Sequence, residues 1–307
     1  MPILVGKYCP RCIGFCNPII CGKSHSSNSG HLVWRSRSPE LRLRSNACAV
    51  NGLIMNDMTL VDLACQLVEA AAAEIQAVQR AGFIVESKDD MTPVTLADMR
   101  SERIILEGLR KAVPELPVVA EEEVAAGKTT EPGSEFWLVD PLDGTREFAA
   151  GRSEFTVNVG LVRNGRVRLG AVATPANNEI YYGIVGVGAW KKSAEGTRSI
   201  FARTAPPGGL DVMGSRHFKA DPALADLLAK YKIASLTSIG SAVKFLRLAE
   251  GKADFYPRLG RTLEWDTAAP QAVLEAAGGC VLTLDGKPMG YGKPKFENPN
   301  FMCYGIR

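Results

Sequence analysis

A layered α/β fold is what the sequence predicts, and three observations carry it. Leu60, Leu63, Ala64, Leu67, Val68 and Ala71 recur at the i, i+3, i+4, i+7, i+8 spacing of an amphipathic helix. Residues 155–162 and 167–174 are apolar runs that meet at Asn164-Gly165, the strongest short signal for a hairpin turn. From Leu210 to Leu284, strand-like and helix-like segments alternate. The chain has 307 residues, 46% apolar and 22% charged, an ordinary composition for a globular protein.

The elements follow in order. The first helix starts near Met58 and stops near Gly82. Thr95-Leu96-Ala97-Asp98 is a capping-box pattern that opens a second helix, running to about Ala112. Short apolar runs at 117–120 and 136–140 predict buried strands. The hairpin comes next, then a strand over Glu179–Val185. Ala205-Pro206-Pro207-Gly208-Gly209 is a linker that divides residues 55–204 from residues 205–307. The second half then predicts a strand at 210–214, a helix at 222–230, a strand, a helix at 241–250, a strand at 253–257, a helix at 267–277 and a strand at 280–284. No internal repeat is present.

Charge and composition narrow the function. A net charge of +3 is too small to argue for a nucleic-acid partner. No window approaches about 18 uninterrupted apolar residues, so no membrane-spanning helix is expected. The chain holds three histidines, which leaves little support for a Ser-His-Asp triad.

Residues 136–148, FWLVDPLDGTREF, carry the most chemistry. Phe136 to Val139 is a buried-strand run, and Pro141 and Gly144 turn the chain. Asp140 and Asp143 repel each other on that turn unless a cation lies between them. Oxygen-only ligation suits Mg²⁺. An Asx-rich turn that merely ends a strand is the other reading. Glu121-Glu122-Glu123 follows the strand at 117–120. On an extended chain these acids face alternate sides, so one or two are available to a metal while another meets solvent. An acidic triplet is also an ordinary solvated loop. Asp266, in Glu264-Trp265-Asp266, reads either as the N-cap of the helix that follows or as a ligand on a rigid element. Asp98 reads as a helix cap.

Taken together, DPLDGT (140–145), AEEEVAAG (120–127), PVTLAD (93–98) and EWDTAA (264–269) resemble the motifs of the inositol monophosphatase superfamily of metal- and lithium-sensitive phosphatases. The resemblance runs from about Met58 to the C-terminus and implies that family's αβαβα sandwich. Within the superfamily, EFTVNVGLV (154–162), GSRH (214–217), SIGSAVKF (238–245) and AEGKADFYPR (249–258) are most similar to the bacterial CysQ-type 3′(2′),5′-bisphosphate nucleotidases.

The resemblance implies a site, residue by residue. Glu121, Asp140, Asp143 and Asp266, with the Leu142 carbonyl, would hold two or three Mg²⁺ ions. Asp98 and Thr145 would orient the attacking water, with Glu121 beside them. Glu121, Leu142, Asp143, Gly144, Thr145 and Asp266 would border the phosphate. Ser215, Arg216, His217 and Lys244, and with them Arg258, would lie near the nucleotide and its second phosphate. The family often has Ser or Gly in place of Ala120, and Asp or Ser in place of Glu123; neither is a ligand. The implied reaction is direct hydrolysis by a metal-activated water with no covalent nucleophile, removing the 3′-phosphate of adenosine 3′,5′-bisphosphate and acting also on its sulfated analogue, in sulfur assimilation. An inositol-1-monophosphatase with the same metal site is the enzymatic alternative. A silent family member whose basic tail binds a partner is the alternative from another class. A homodimer is allowed. The expected location is cytoplasmic, with peripheral contact at the inner membrane as a variant.

Residues 1–54 fall outside this pattern. They contain seven Lys or Arg and one acid, Glu40, with five of the eight cysteines. Cys9, Cys12, Cys16 and Cys21 are spaced like zinc ligands, but no second pair follows. A basic, serine-rich stretch also resembles an organellar transit segment. The motifs begin only after Met55 or Met58, which favours an unstructured or misassigned extension. Cys65, Cys280 and Cys303 lie in apolar surroundings and read as reduced packing residues.

Overall fold

In the computed structural model, residues 48–50, 53–87, 93–128, 130–216 and 222–307 are described. Most of the N-terminal extension, its four spaced cysteines and His217 lie outside the described residues. Cys48–Val50 (β1) pairs antiparallel with Leu53–Met55 (β2). Helix α1, Asp57–Ala81, is opened by Asn56, whose side chain accepts the Thr59 N–H at 3.0 Å. Its apolar stripe, including Leu60, Ala64, Leu67, Val68, Ala71 and Ile75, is fully or almost fully buried. Val85–Ser87 (β3) pairs with Pro93–Thr95 (β4) and leads into α2, Leu96–Ala112. The described residues from Cys48 onward form one compact unit.

The larger sheet is built next. Val118–Ala120 (β5) is followed by the single turn Glu121–Ala125 (α3) and by Glu135–Asp143 (β6). Thr145–Ala149 (α4), Thr156–Arg163 (β7) and Arg166–Thr174 (β8) come next, with Asn164 and Gly165 both at positive φ in the expected hairpin turn. Glu179–Ile184 (β9), Gly188–Ser193 (β10) and Gly196–Ile200 (β11) complete seven strands in the order β11-β10-β9-β8-β7-β6-β5. Within this sheet only β5 and β6 pair in parallel. The hairpin of β10 and β11 was not expected, because Lys191, Lys192 and Arg198 break the apolar alternation that marks a strand.

The second sheet holds Leu210–Gly214 (β12), Ile233–Ser238 (β13), Phe255–Arg258 (β14), Cys280–Thr283 (β15) and Phe301–Tyr304 (β16), in the order β13-β12-β14-β16-β15. Pro222–Leu228 (α5), Val243–Ala249 (α6) and Glu264–Ala276 (α7) are its helices. One core lies between α1, α2 and the larger sheet. The other fills the space between the sheets, around α6 and α7. Leu224 of α5 is buried, and Tyr231 just beyond it lies against Phe255 on the far face of the smaller sheet. The five layers are those of the expected αβαβα sandwich. Among the described residues no helix is long and apolar enough to cross a membrane.

Two local expectations are corrected. Glu121–Ala125 is a helical turn, so its acids fan around an axis and do not alternate across a strand. Helix α7 starts one turn earlier than expected, which makes Asp266 its third residue; its Oδ2 accepts the Leu263 N–H at 2.9 Å. Asp266 therefore caps from inside the helix, because Leu263 at the N-cap has no side-chain acceptor.

Helix α7 is located by three glycines. Gly160 pairs with Gly170 across β7 and β8, and Gly170 with Gly183 across β8 and β9. A Cβ on Gly160 would lie 2.7 Å from the Ala269 nitrogen, and one on Gly170 only 2.6 Å from the Ala269 Cα. A Cβ on Gly183 would lie 2.7 Å from the Ala276 Cβ. The row forms a track without side chains across three strands, and the α7 backbone lies in it. Ala268 and Ala269 sit over β7 and β8, and Ala276 over β9. The first turn of α7, with Asp266, therefore points towards β6 and its acidic end.

Candidate active site

The acids expected to act together come from four elements: Asp98 from α2, Glu121 from α3, Asp140 and Asp143 from β6, and Asp266 from α7. Glu121, Asp143, Gly144, Thr145, Ser215, Lys244 and Asp266 line one cleft of about 320 Å³. Asp140 and Asp98 lie behind its wall, 1% and 2% exposed. Parallel pairing of β5 with β6 brings Ala120 beside Val139, which sets Glu121 next to Asp140. A break in the β6–β7 register between Asp140 and Asp143 accommodates Pro141 and Leu142. Gly144 then takes φ 96°, and a Cβ there would lie 3.0 Å from the Glu154 carbonyl oxygen. Glycine is needed on both counts.

Asp98, Asp140, Asp143 and Asp266 each have a defined hydrogen-bond partner. Asp98 Oδ2 accepts from the Thr95 N–H at 2.8 Å and from the Thr95 hydroxyl at 2.7 Å. Asp98 Oδ1 faces the Thr145 hydroxyl at 3.0 Å, and the Leu142 carbonyl oxygen lies 3.1 Å from that hydroxyl. Capping and alignment with Thr145 thus use different oxygens of one carboxylate. Asp140 Oδ1 accepts the Leu142 N–H at 3.0 Å. Asp143 Oδ2 accepts the Ala242 N–H and lies 3.4 Å from the Thr156 hydroxyl. Of the acidic triplet, Glu121 lines the cleft, while Glu123 pairs with Arg110 at 2.6 Å and Lys128 at 2.7 Å.

The second half closes the other wall. The Lys244 ammonium donates to the Ile239 and Ser241 carbonyls and lies 5.3 Å from the centre of the Tyr256 ring. Burial lowers its pKa to about 8, against the opposing pull of Asp143. Arg258 lines the cleft, with its Nη2 on the Arg261 carbonyl at 2.9 Å. Arg216 does not line it; its guanidinium pairs with Glu154.

Residues 240–242 and Glu147, absent from the expectations, also line the cleft. A Cβ on Gly240 would lie 2.6 Å from the Glu147 Cγ, so glycine permits this close approach between the halves. Thr156 was missed too, although a polar residue inside an apolar strand run was its available signal.

The acid cluster is short of positive charge. Burial, then the negative charges of Glu121, Asp143 and Asp266, push the Asp140 carboxyl well up. Burial and then Asp143 and Glu121 raise Asp266 to about 8. Burial raises Asp143 to about 6, with Lys244 pulling the other way. An all-oxygen donor set whose members repel one another is a fit for a hard divalent cation. Among the described residues no three His, Cys, Asp or Glu side chains are gathered closely enough to form a closed metal cage.

The raised values give a pH dependence for the ion-free chain. A carboxyl whose folded pKa exceeds its unfolded value near 4 binds more protons when folded, so its stability contribution is complete below that value and declines as pH rises. For Asp266 the decline runs from about pH 4 to about pH 8, and for Asp143 to about pH 6. In EDTA, the melting temperature should fall as pH rises through this window. Saturating Mg²⁺ should largely remove the slope. A flat profile in EDTA would contradict the charge arrangement.

Comparison with known proteins places the chain among relatives. It matches the inositol monophosphatase family over residues 56–302. The 3′(2′),5′-bisphosphate nucleotidase CysQ of Escherichia coli (strain K12) is 40% identical over 245 residues, covering 79% of this chain and 98% of that protein. CysQ of Buchnera aphidicola subsp. Acyrthosiphon pisum is 36% identical over 252 residues, 80% of this chain and 94% of its own length. Among solved structures, CysQ from Bacteroides thetaiotaomicron matches with a TM-score of 0.69 at 31% identity, covering 81% of this chain and 98% of that one. An inositol monophosphatase from Anabaena (Nostoc) sp. PCC 7120 matches with a TM-score of 0.65 at 26% identity, covering 81% and 91%.

Proposed function

Because the chain belongs to the inositol monophosphatase family, we propose that it removes the 3′-phosphate of adenosine 3′,5′-bisphosphate, yielding AMP and phosphate in sulfur assimilation. The sulfated analogue is a second substrate in this reading. The observation that carries it is the 40% identity to a bisphosphate nucleotidase along nearly that protein's whole length. Phosphatases of this family generally use Mg²⁺.

Glu121, Asp140, Asp143, Asp266 and the Leu142 carbonyl would hold two or three Mg²⁺ ions. Bound there, the ions supply Lewis acidity, acidifying the attacking water and offsetting charge on the phosphate. The chain's own residues do the rest. The Thr145 hydroxyl accepts the proton of the attacking water as it passes its own proton to Asp98 Oδ1, a relay supported by their 3.0 Å contact. Gly144 and Thr145 offer backbone N–H groups to the phosphate from the cleft wall. Ser215, Lys244 and Arg258, which line the cleft, supply the cationic and hydroxyl donors for the second phosphate.

Substrate choice is the test. One charge-assisted contact to the extra phosphate contributes about 1.5–3 kcal/mol, which is at least about tenfold in binding. Phosphate release measured side by side should favour adenosine 3′,5′-bisphosphate over inositol 1-phosphate by at least about tenfold in kcat/KM. Equal values, or preference for the inositol ester, would reassign the chain to the inositol phosphatases.

A further inference from the structure

Strand β7 carries two polar side chains inside an apolar run, Thr156 and Asn158, both 0% exposed. They occupy alternate positions, so they project from the same face. Each is paired across the strands with a proposed metal ligand: Thr156 with Asp143, Asn158 with Asp140. Directly opposite residues in an antiparallel pair share a face and lie within side-chain reach. The Thr156 hydroxyl meets its aspartate at 3.4 Å. Neither Asn158 Nδ2 nor Asn158 Oδ1 has a hydrogen-bond partner. On its other side Asn158 is paired with Val172, and its same-face neighbour on β7 beyond Thr156 is Gly160. Neither offers a side-chain partner. Of the residues paired with Asn158, only Asp140 has an acceptor side chain.

A buried carboxamide with both atoms unsatisfied is costly, and such a group calls for a role. We propose that Asn158 is a positioning residue for Asp140: its Nδ2–H donates to the Asp140 carboxylate when Mg²⁺ draws the acids together, fixing that ligand's orientation. The proposal rests on the metal-site reading above. Partners of this kind, hydrogen-bonded to a ligand and not to the metal, typically change metal affinity 10- to 100-fold when removed. A role in packing alone would leave that affinity unchanged.

Isothermal titration with Mg²⁺ and melting in EDTA, on the full chain, separate the outcomes. Asn158→Leu keeps roughly the volume and removes both unsatisfied atoms. It should melt in EDTA at or above the wild-type temperature yet bind Mg²⁺ about 10- to 100-fold more weakly. Asn158→Ala, which adds no branch beneath α7, should show the same weakening and guards against misfolding of the leucine variant. Mg²⁺ affinity within about twofold of wild type in either folded variant would overturn the role of Asn158. Absence of Mg²⁺ binding in the wild type would instead overturn the metal-site reading itself.

Discussion

Asp143→Asn should lower turnover by at least about 10³-fold, equivalent to roughly 4 kcal/mol of transition-state stabilisation, while the protein stays folded. The asparagine preserves shape, and its carboxamide oxygen can still accept the Ala242 N–H that Asp143 accepts now. What it removes is one negative charge from a set in which Asp143 exerts the largest electrostatic push on Asp266. The ion-free variant should therefore melt no lower than wild type and, with one charge fewer, should lose less stability as pH rises. Its Mg²⁺ titration should be weakened. The opposite signs of the two effects distinguish a ligand from a structural residue. Near-normal turnover would remove Asp143 from the metal site.

Thr145→Ala should reduce kcat by about 10²-fold or more with little change in KM. The hydroxyl lies between Asp98 and the Leu142 carbonyl, at 3.0 and 3.1 Å. A group that orients the attacking water contributes mainly in the transition state, so its loss falls on kcat. A rise in KM with kcat unchanged would make Thr145 a phosphate binder and leave Asp98 without a partner in proton transfer.

Much of this architecture was legible in local pattern. The buried stripe of α1, the Asn164-Gly165 hairpin and the Thr95–Asp98 capping box are all short-range signals, and each appears where the spacing put it. The acids of the cleft were equally readable, because each stands in its own short motif. What stayed hidden depends on pairing. Nothing near Asn158 in sequence reveals that it faces Asp140, since strand register is set across more than a dozen intervening residues. Residues 240–242 and Glu147 meet only because the two halves close on one another. Lys244 was legible as a cation beside the site, but not that its ammonium is spent largely on the carbonyls of Ile239 and Ser241. The start of α7 was misplaced because an internal carboxylate, rather than the residue before the helix, does the capping.

The glycine track beneath α7 has a consequence for inheritance. Every missense change at the codons of Gly160, Gly170 or Gly183 adds at least a Cβ, into contacts of 2.6–2.7 Å with the helix above. Ala269 is one turn from Asp266, about 4.5 Å along the axis, so a helix lifted from the track carries the acid with it. Genetic variation at three apolar-strand positions, none of them bearing a functional group, should thus be purged as strictly as variation at the carboxylates themselves. A survey of natural alleles would find a lesion of the active site written in residues that never touch it.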